Sequence, residues 1–302
     1  MLADSVRQYH ALHEQQIRPH LYTTPWWLDT VCGTGGWNAV FQTTEGNSLS
    51  ALPYCNSPIR GLKAIFTPPL TQWTSIVGLS PGAEVDLKSW YELLPKRAIL
   101  DLSIQQDDFT LLPHQHVPVT TKYSYMLPYK MSIEEMTSGY NEGLRRNLKQ
   151  GQSKFEIIES EDADILIRLC RSTYQQQDLK SPWWVEGVLP GLVRALLERN
   201  AGHLSIVIHQ SVAIAAMLTA WDDGASYYIV GGRMATEEGT SAHAILLDHA
   251  IRQAQKRGNA FDFEGSMIPG IANFFQSFGA KPMPYYQLRQ YRGFGLAWRL
   301  FH

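Results

Sequence analysis

Residues 225–265 read ASYYIVGGRMATEEGTSAHAILLDHAIRQAQKRGNAFDFEG, and this stretch decides the fold. Ser226 to Gly231 is an aromatic and β-branched run that predicts a strand. Arg233 to Gly239 is a polar loop. Thr240 or Ser241 is expected to cap a helix running to about Arg257, because Ala242, Ile245, Leu246, His249, Ala250 and Gln253 recur on successive turns. Gly258 supplies the stop. Ala260-Phe261-Asp262-Phe263-Glu264 then alternates apolar and acidic, which predicts a second strand with both carboxylates on one face. A crossover of roughly 20 residues makes the two strands parallel neighbours.

Working outward, Pro269 to Phe278 predicts a short helix stopped by Gly279, and Tyr285 to Arg289 a closing strand. Upstream, Ser132 and Glu135 form a capping box for one helix reaching Gly151, with Ile133, Met136, Tyr140, Leu144 and Leu148 at helical spacing. Arg145, Arg146 and Lys149 fall in its last turns, where cations suit the dipole. Phe155 to Ser160 reads as a strand, and Asp162 to Gln177 and Pro190 to Asn200 as helices.

The unit is written twice. Thr24-Pro25-Trp26-Trp27-Leu28-Asp29 matches Ser181-Pro182-Trp183-Trp184-Val185-Glu186 in residue type. Each is followed by a glycine and two strands, Trp37 to Gln42 with Ser48 to Tyr54, and His203 to His209 with Val212 to Trp221. The four tryptophans are expected to pack the start of a helix in each half. With a linker near Pro128, this predicts an α/β chain of two tandem domains, 1–127 and 128–302, each a mixed, mostly antiparallel sheet flanked by helices.

Composition fits that reading. The 302 residues are 44% apolar and 18% charged, which supplies a core and excludes disorder. A net charge of −2 gives no reason to expect DNA as a partner. Three scattered cysteines predict free thiols in a reducing compartment. Residues 1–25 lack a signal peptide's apolar run, and no stretch approaches the ~20 apolar residues of a membrane span, so a cytoplasmic protein is expected. No metal-ligand cluster, nucleophile elbow, Walker loop or dinucleotide fingerprint is present.

Three features resemble the GNAT acyltransferase superfamily, and within it the FemAB/FemX-like branch with tandem domains. They are the duplication, the basic helix end Leu144-Arg145-Arg146-Asn147-Leu148-Lys149, and the succession Phe261-Asp262-Phe263-Glu264-Gly265-Ser266, Ile268-Pro269-Gly270-Ile271-Ala272-Asn273-Phe274-Phe275, Phe278-Gly279-Ala280. The resemblance covers residues 130–290 well and 20–127 as a degenerate copy. It implies acyl or aminoacyl transfer from acyl-CoA or aminoacyl-tRNA to an amine, with no tightly bound cofactor. In that superfamily the loop before the long helix grips the donor's pyrophosphate. Here Arg233, Gly239, Thr240, Ser241 and Ala242 occupy that place, with Glu237 and Glu238 departing from the pattern.

Acyl transfer needs proton removal from the amine and stabilisation of an oxyanion. Asp262 and Glu264 are the acid/base candidates, or else partners of Arg233 or Arg257. Ser266 is a hydrogen-bond donor or an ordinary turn hydroxyl. Tyr227 and Tyr228 point to opposite faces, so one, taken as Tyr228, reaches the cleft as a proton donor. Arg145, Arg146 and Lys149 would suit a nucleotide-linked acceptor or tRNA, or are a solvated helix end. The alternative function is a non-catalytic ligand-binding protein on a degenerate GNAT scaffold.

Overall fold

The computed structural model describes residues 4–43, 48–56, 61–105, 110–112, 116–128, 131–265 and 267–293. They divide into two compact units, one from Met1–Lys122 with Pro284–His302, the other from Tyr123–Met283. The expected division at 127/128 cuts the chain slightly later and counts 284–302 with the second part. Antiparallel pairing of Tyr286–Tyr291 with Ile99–Ile104 draws that segment to the first unit.

The first unit contains α1 (Asp4–His13), α2 (Pro25–Cys32), β1 (Trp37–Thr43), β2 (Leu49–Cys55), β3 (Ala64–Phe66), β4 (Glu84–Asp86), α3 (Leu87–Leu93), β5 (Ile99–Ile104) and β6 (Thr110–Leu112). β1, β2 and β3 pair antiparallel in that order, and β3 pairs parallel with β5. Leu52, Ile65, Trp90, Leu102 and Leu288 fill the core. Pro25 opens α2 at a position where its missing N–H costs nothing, and Trp27 is fully buried, with its indole N–H donating to Thr71 at 2.9 Å.

The second unit takes β7 (Val119–Leu127) from Tyr123 on. It continues with α4 (Ile133–Ser138), α5 (Glu142–Gly151), β8 (Glu156–Ser160), α6 (Ala163–Gln175), α7 (Trp184–Gly187), α8 (Leu189–Glu198), β9 (Gly202–His209), β10 (Val212–Trp221), β11 (Ala225–Arg233), α9 (Glu237–Arg257), β12 (Ala260–Asp262) and α10 (Pro269–Gln276). β13 (Lys281–Tyr291) closes the described chain. Within this unit the strand order is β7-β12-β11-β10-β9-β8, with only β11 and β12 parallel. Gln210 and Ser211, both with positive φ, make the two-residue turn that joins β9 to β10. α5 and α9 pack together through Leu144, Leu148 and Ile245 in a core with Phe261, Phe263, Phe275 and Phe278.

Two expectations change here. The helix foreseen from Ser132 to Gly151 is two helices: the capping box at Ser132 and Glu135 forms, but the first ends at Ser138, and Asn141 caps a second by accepting from the Leu144 amide. The break lets Tyr140 lie against Phe278 and donate to Asp248 at 2.9 Å. The second Pro-Trp-Trp segment yields only the single turn α7, and Trp183 is 66% exposed, because a fresh helix restarts at Leu189 and carries the buried face instead. No helix among the described residues is long and apolar enough to cross a membrane.

Candidate active site where two strands part

β12 pairs with β11 over three positions only: Ala225 with Ala260, Ser226 with Phe261, Tyr227 with Asp262. Beyond Asp262 the chain turns toward β7. The Phe263 amide donates to Tyr125 O at 2.9 Å, and Glu264 and Gly265 both take left-handed φ, +65° and +63°. Gly265 is obligatory, since a Cβ there would lie 2.3 Å from Tyr123 O. β11 meanwhile runs on to Arg233, paired with β10 as its one strand neighbour among the described residues, and the register shift opposite Leu218 and Thr219 makes Ile229 an extra residue. Such a bulge redirects a strand and ends pairing. From Tyr228 onward, one edge of β11 therefore faces no strand among the described residues.

Tyr228, half-buried, is the first residue past the last pair. Its hydroxyl lies over Gly231, 3.4 Å from His243 Nε2. The two rings meet edge to face, 5.9 Å apart, beside Phe274 and Phe275. Gly231 is what lets them sit on the strand: a Cβ there would be 2.5 Å from His243 Cε1 and 2.8 Å from Tyr228 Oη. His243 Nδ1 is buried and has no hydrogen-bond partner. Burial, helped by the nearby Arg233 charge, lowers His243 to about 4, so the ring is neutral at pH 7. Burial raises Tyr228 above the usual phenol range.

The two acidic candidates behave differently. Asp262, 1% exposed, accepts from the Ser124 hydroxyl and from the Glu264 amide at 2.8 Å, and so holds the turn together. Glu264 is 9% exposed, and its Oε1 has no partner. Burial pushes its carboxyl well above the usual carboxylate range. The two do not continue one strand alternation as expected, because the strand stops at Asp262 and left-handed φ re-aims Glu264. A strained, buried, unpartnered carboxyl is a mark of function rather than of stability.

The amino end of α9 also differs from expectation. Thr236, not Thr240 or Ser241, is the cap, accepting from the Gly239 amide at 3.0 Å. The Thr240 amide is spent on Thr236 O, and Ser241 and Ala242 lie inside the helix, so none of these four amides is free for a phosphate. The uncommitted positions are Glu237 and Glu238, both exposed. Arg233 is half-buried, with its backbone clamped by Thr173 of α6 and by Gln176 just past its end. Its guanidinium donates to Met234 O and joins none of the ion pairs among the described residues. Arg145, Arg146 and Lys149 are exposed on α5, Arg146 within 3.8 Å of Glu142. Ser266 lies outside the described residues.

His243 had no motif to announce it. Its signal is the triplet Ala242-His243-Ala244, one ring between methyls, placed opposite Gly231. β11 thus brings an open backbone edge, the Tyr228 phenol and the neutral His243 imidazole together, and the Glu264 carboxyl follows two residues past the last β11–β12 pair.

Residues 137–274 match the acetyltransferase (GNAT) domain family. No curated protein matches significantly by sequence. Among solved structures, FemX is similar at 12% identity and TM-score 0.63, over 96% of this chain and 97% of its own. The C-terminal domain of a putative lysylphosphatidylglycerol synthetase from Agrobacterium fabrum is similar at 10% and 0.56, over 98% and 96%. L-PGS from Bacillus licheniformis is similar at 9% and 0.52, over 98% and 95%. The fold is GNAT-like and FemX-like, and the stretch that matches the acetyltransferase (GNAT) domain, residues 137–274, lies within its second unit.

Proposed function

We propose that this GNAT-fold chain is an N-acyltransferase working where β11 and β12 part. The carrying observation is that pairing stops at Tyr227 and Asp262, beside an open β11 edge, Tyr228, and the unpartnered Glu264 carboxyl. An extended donor arm bearing amides would lie along that edge as an added strand does. The donor is an activated acyl group, a thioester as in acyl-CoA or an ester as in aminoacyl-tRNA. The name of the lysylphosphatidylglycerol synthetase, whose domain shares the fold, supports keeping the aminoacyl alternative.

Glu264, once ionised, takes the proton of the attacking amine as its nitrogen forms the C–N bond. The C–S or C–O bond then breaks, and the leaving sulfur or oxygen takes the Tyr228 proton. Glu264 gives its proton to solvent and the phenolate regains one from it, so charge and atoms balance. Open β11 N–H groups supply donors for the oxyanion. Arg233 is the cation available to a donor phosphate, while Glu237 and Glu238 oppose one unless they stay turned outward. Arg145, Arg146 and Lys149 would meet a phosphate-bearing acceptor or tRNA.

The test is turnover of an acyl-CoA and aminoacyl-tRNA panel with amine acceptors by the full chain and by Glu264→Gln. A loss of about 10²–10⁴ in kcat for the variant is expected. Unchanged rates would overturn the assignment. No thermal shift and no turnover with any donor would favour a ligand-binding protein on the same scaffold.

A further inference from the structure

The Tyr228 hydroxyl must release a proton toward the parted strands, and its surroundings decide where that proton points. A phenol oxygen accepts hydrogen bonds and donates one. His243 Nε2, 3.4 Å away, is its polar neighbour. A neutral imidazole carries its proton on one nitrogen only. A proton on Nδ1 would make Nε2 the acceptor of the Tyr228 O–H and would bury an N–H with nothing to receive it, because Nδ1 has no partner. A proton on Nε2 leaves only a bare lone pair on Nδ1. Orphaned buried N–H groups are the rarer of the two faults in folded proteins.

We infer, building on the acyltransferase reading, that His243 is a positioning residue: its Nε2–H donates to the Tyr228 hydroxyl oxygen, so that the O–H turns away from the imidazole and points into the parting of the strands. An N–H donor on that oxygen also favours the phenolate that forms when the proton leaves. Gly231 is the residue small enough to lie under the two rings. Loss of the ring would free one accepting position and let the hydroxyl turn away, even with Tyr228 still packed on Phe275.

The experiment is ¹⁵N–¹H NMR of the imidazole in the full, donor-free chain, alongside His243→Gln, His243→Ala and Tyr228→Phe. The expected spectrum shows Nε2 protonated and Nδ1 bare, with the Nε2 proton resonance moved by Tyr228→Phe. In turnover, His243→Gln, whose amide still donates, should keep kcat within about threefold, and His243→Ala should lose about tenfold or more. An Nδ1-protonated ring, an Nε2 proton indifferent to Tyr228→Phe, or full kcat in His243→Ala overturns the inference. The tautomer is read without any donor, so it decides the matter even if the acyltransferase reading fails at Glu264.

Discussion

Two adjacent glycines separate the chemistry of this fold from its stability. A Cβ on Gly231 would stand 2.5 Å from His243 Cε1 and 2.8 Å from Tyr228 Oη, against an ordinary contact of 3.4 Å or more. In Gly231→Ala the two rings must therefore retreat by about 1 Å, and a misplacement of that size costs roughly 10² in rate. The displaced atoms are ring ends, so packing yields cheaply. Overpacking of about 1 kcal/mol, partly offset by the lower chain entropy of alanine, should leave stability little changed. On Gly232 the same methyl would stand 2.2 Å from Cys170 N and 2.3 Å from Leu169 C, both in the backbone of α6, which moves only as a whole helix. Gly232→Ala should cost about 3 kcal/mol or more. Urea denaturation of both variants, with turnover of whichever donor the wild type accepts, reads the contrast. A Gly231→Ala protein with wild-type kcat, or one less stable than Gly232→Ala, would refute the reasoning.

Two further predictions follow from burial and charge. Because burial raises the Glu264 pKa in the folded chain above its unfolded value near 4.5, the neutral acid adds stability that is fully present below that value and is lost as pH rises through the folded pKa. Wild type should lose stability to urea from pH 5 to pH 8, Glu264→Gln should show a flatter curve over the same range, and parallel curves would show that the carboxyl is not held neutral. If the donor is aminoacyl-tRNA, Arg145→Glu with Arg146→Glu should weaken tRNA binding and reduce its salt slope; an unchanged slope, read by titration at several salt concentrations, would remove α5 from the tRNA surface.

What was legible in the sequence rests on local physics. The 3.6 spacing from Ala242 to Gln253, the Ser132–Glu135 capping box, the left-handed Gly258 and the alternation around Phe261 are each set by neighbours within a few residues. They suffice for the βαβ unit and for an architecture like that of FemX. The site was half legible. Glu264 and Tyr228 stand out by residue type and position, whereas His243 does not, because nothing within helical reach of it says which backbone it will meet.

Tertiary structure decided the rest. The start of α9 moved to Thr236 because a threonine oxygen reached Gly239, a competition between hydroxyls four and five residues apart that composition does not rank. Separation of Asp262 from Glu264 depends on Tyr125 drawing off the Phe263 amide, on Ser124 holding Asp262, and on Tyr123 leaving room for a glycine alone at 265. These contacts join residues more than a hundred positions apart, and only the packed sheet brings them together. By itself the sequence determined that two strands would lie side by side; the distant strand β7, pulling one of them away past its third residue, decided that they would part where a carboxyl and a phenol could use the gap.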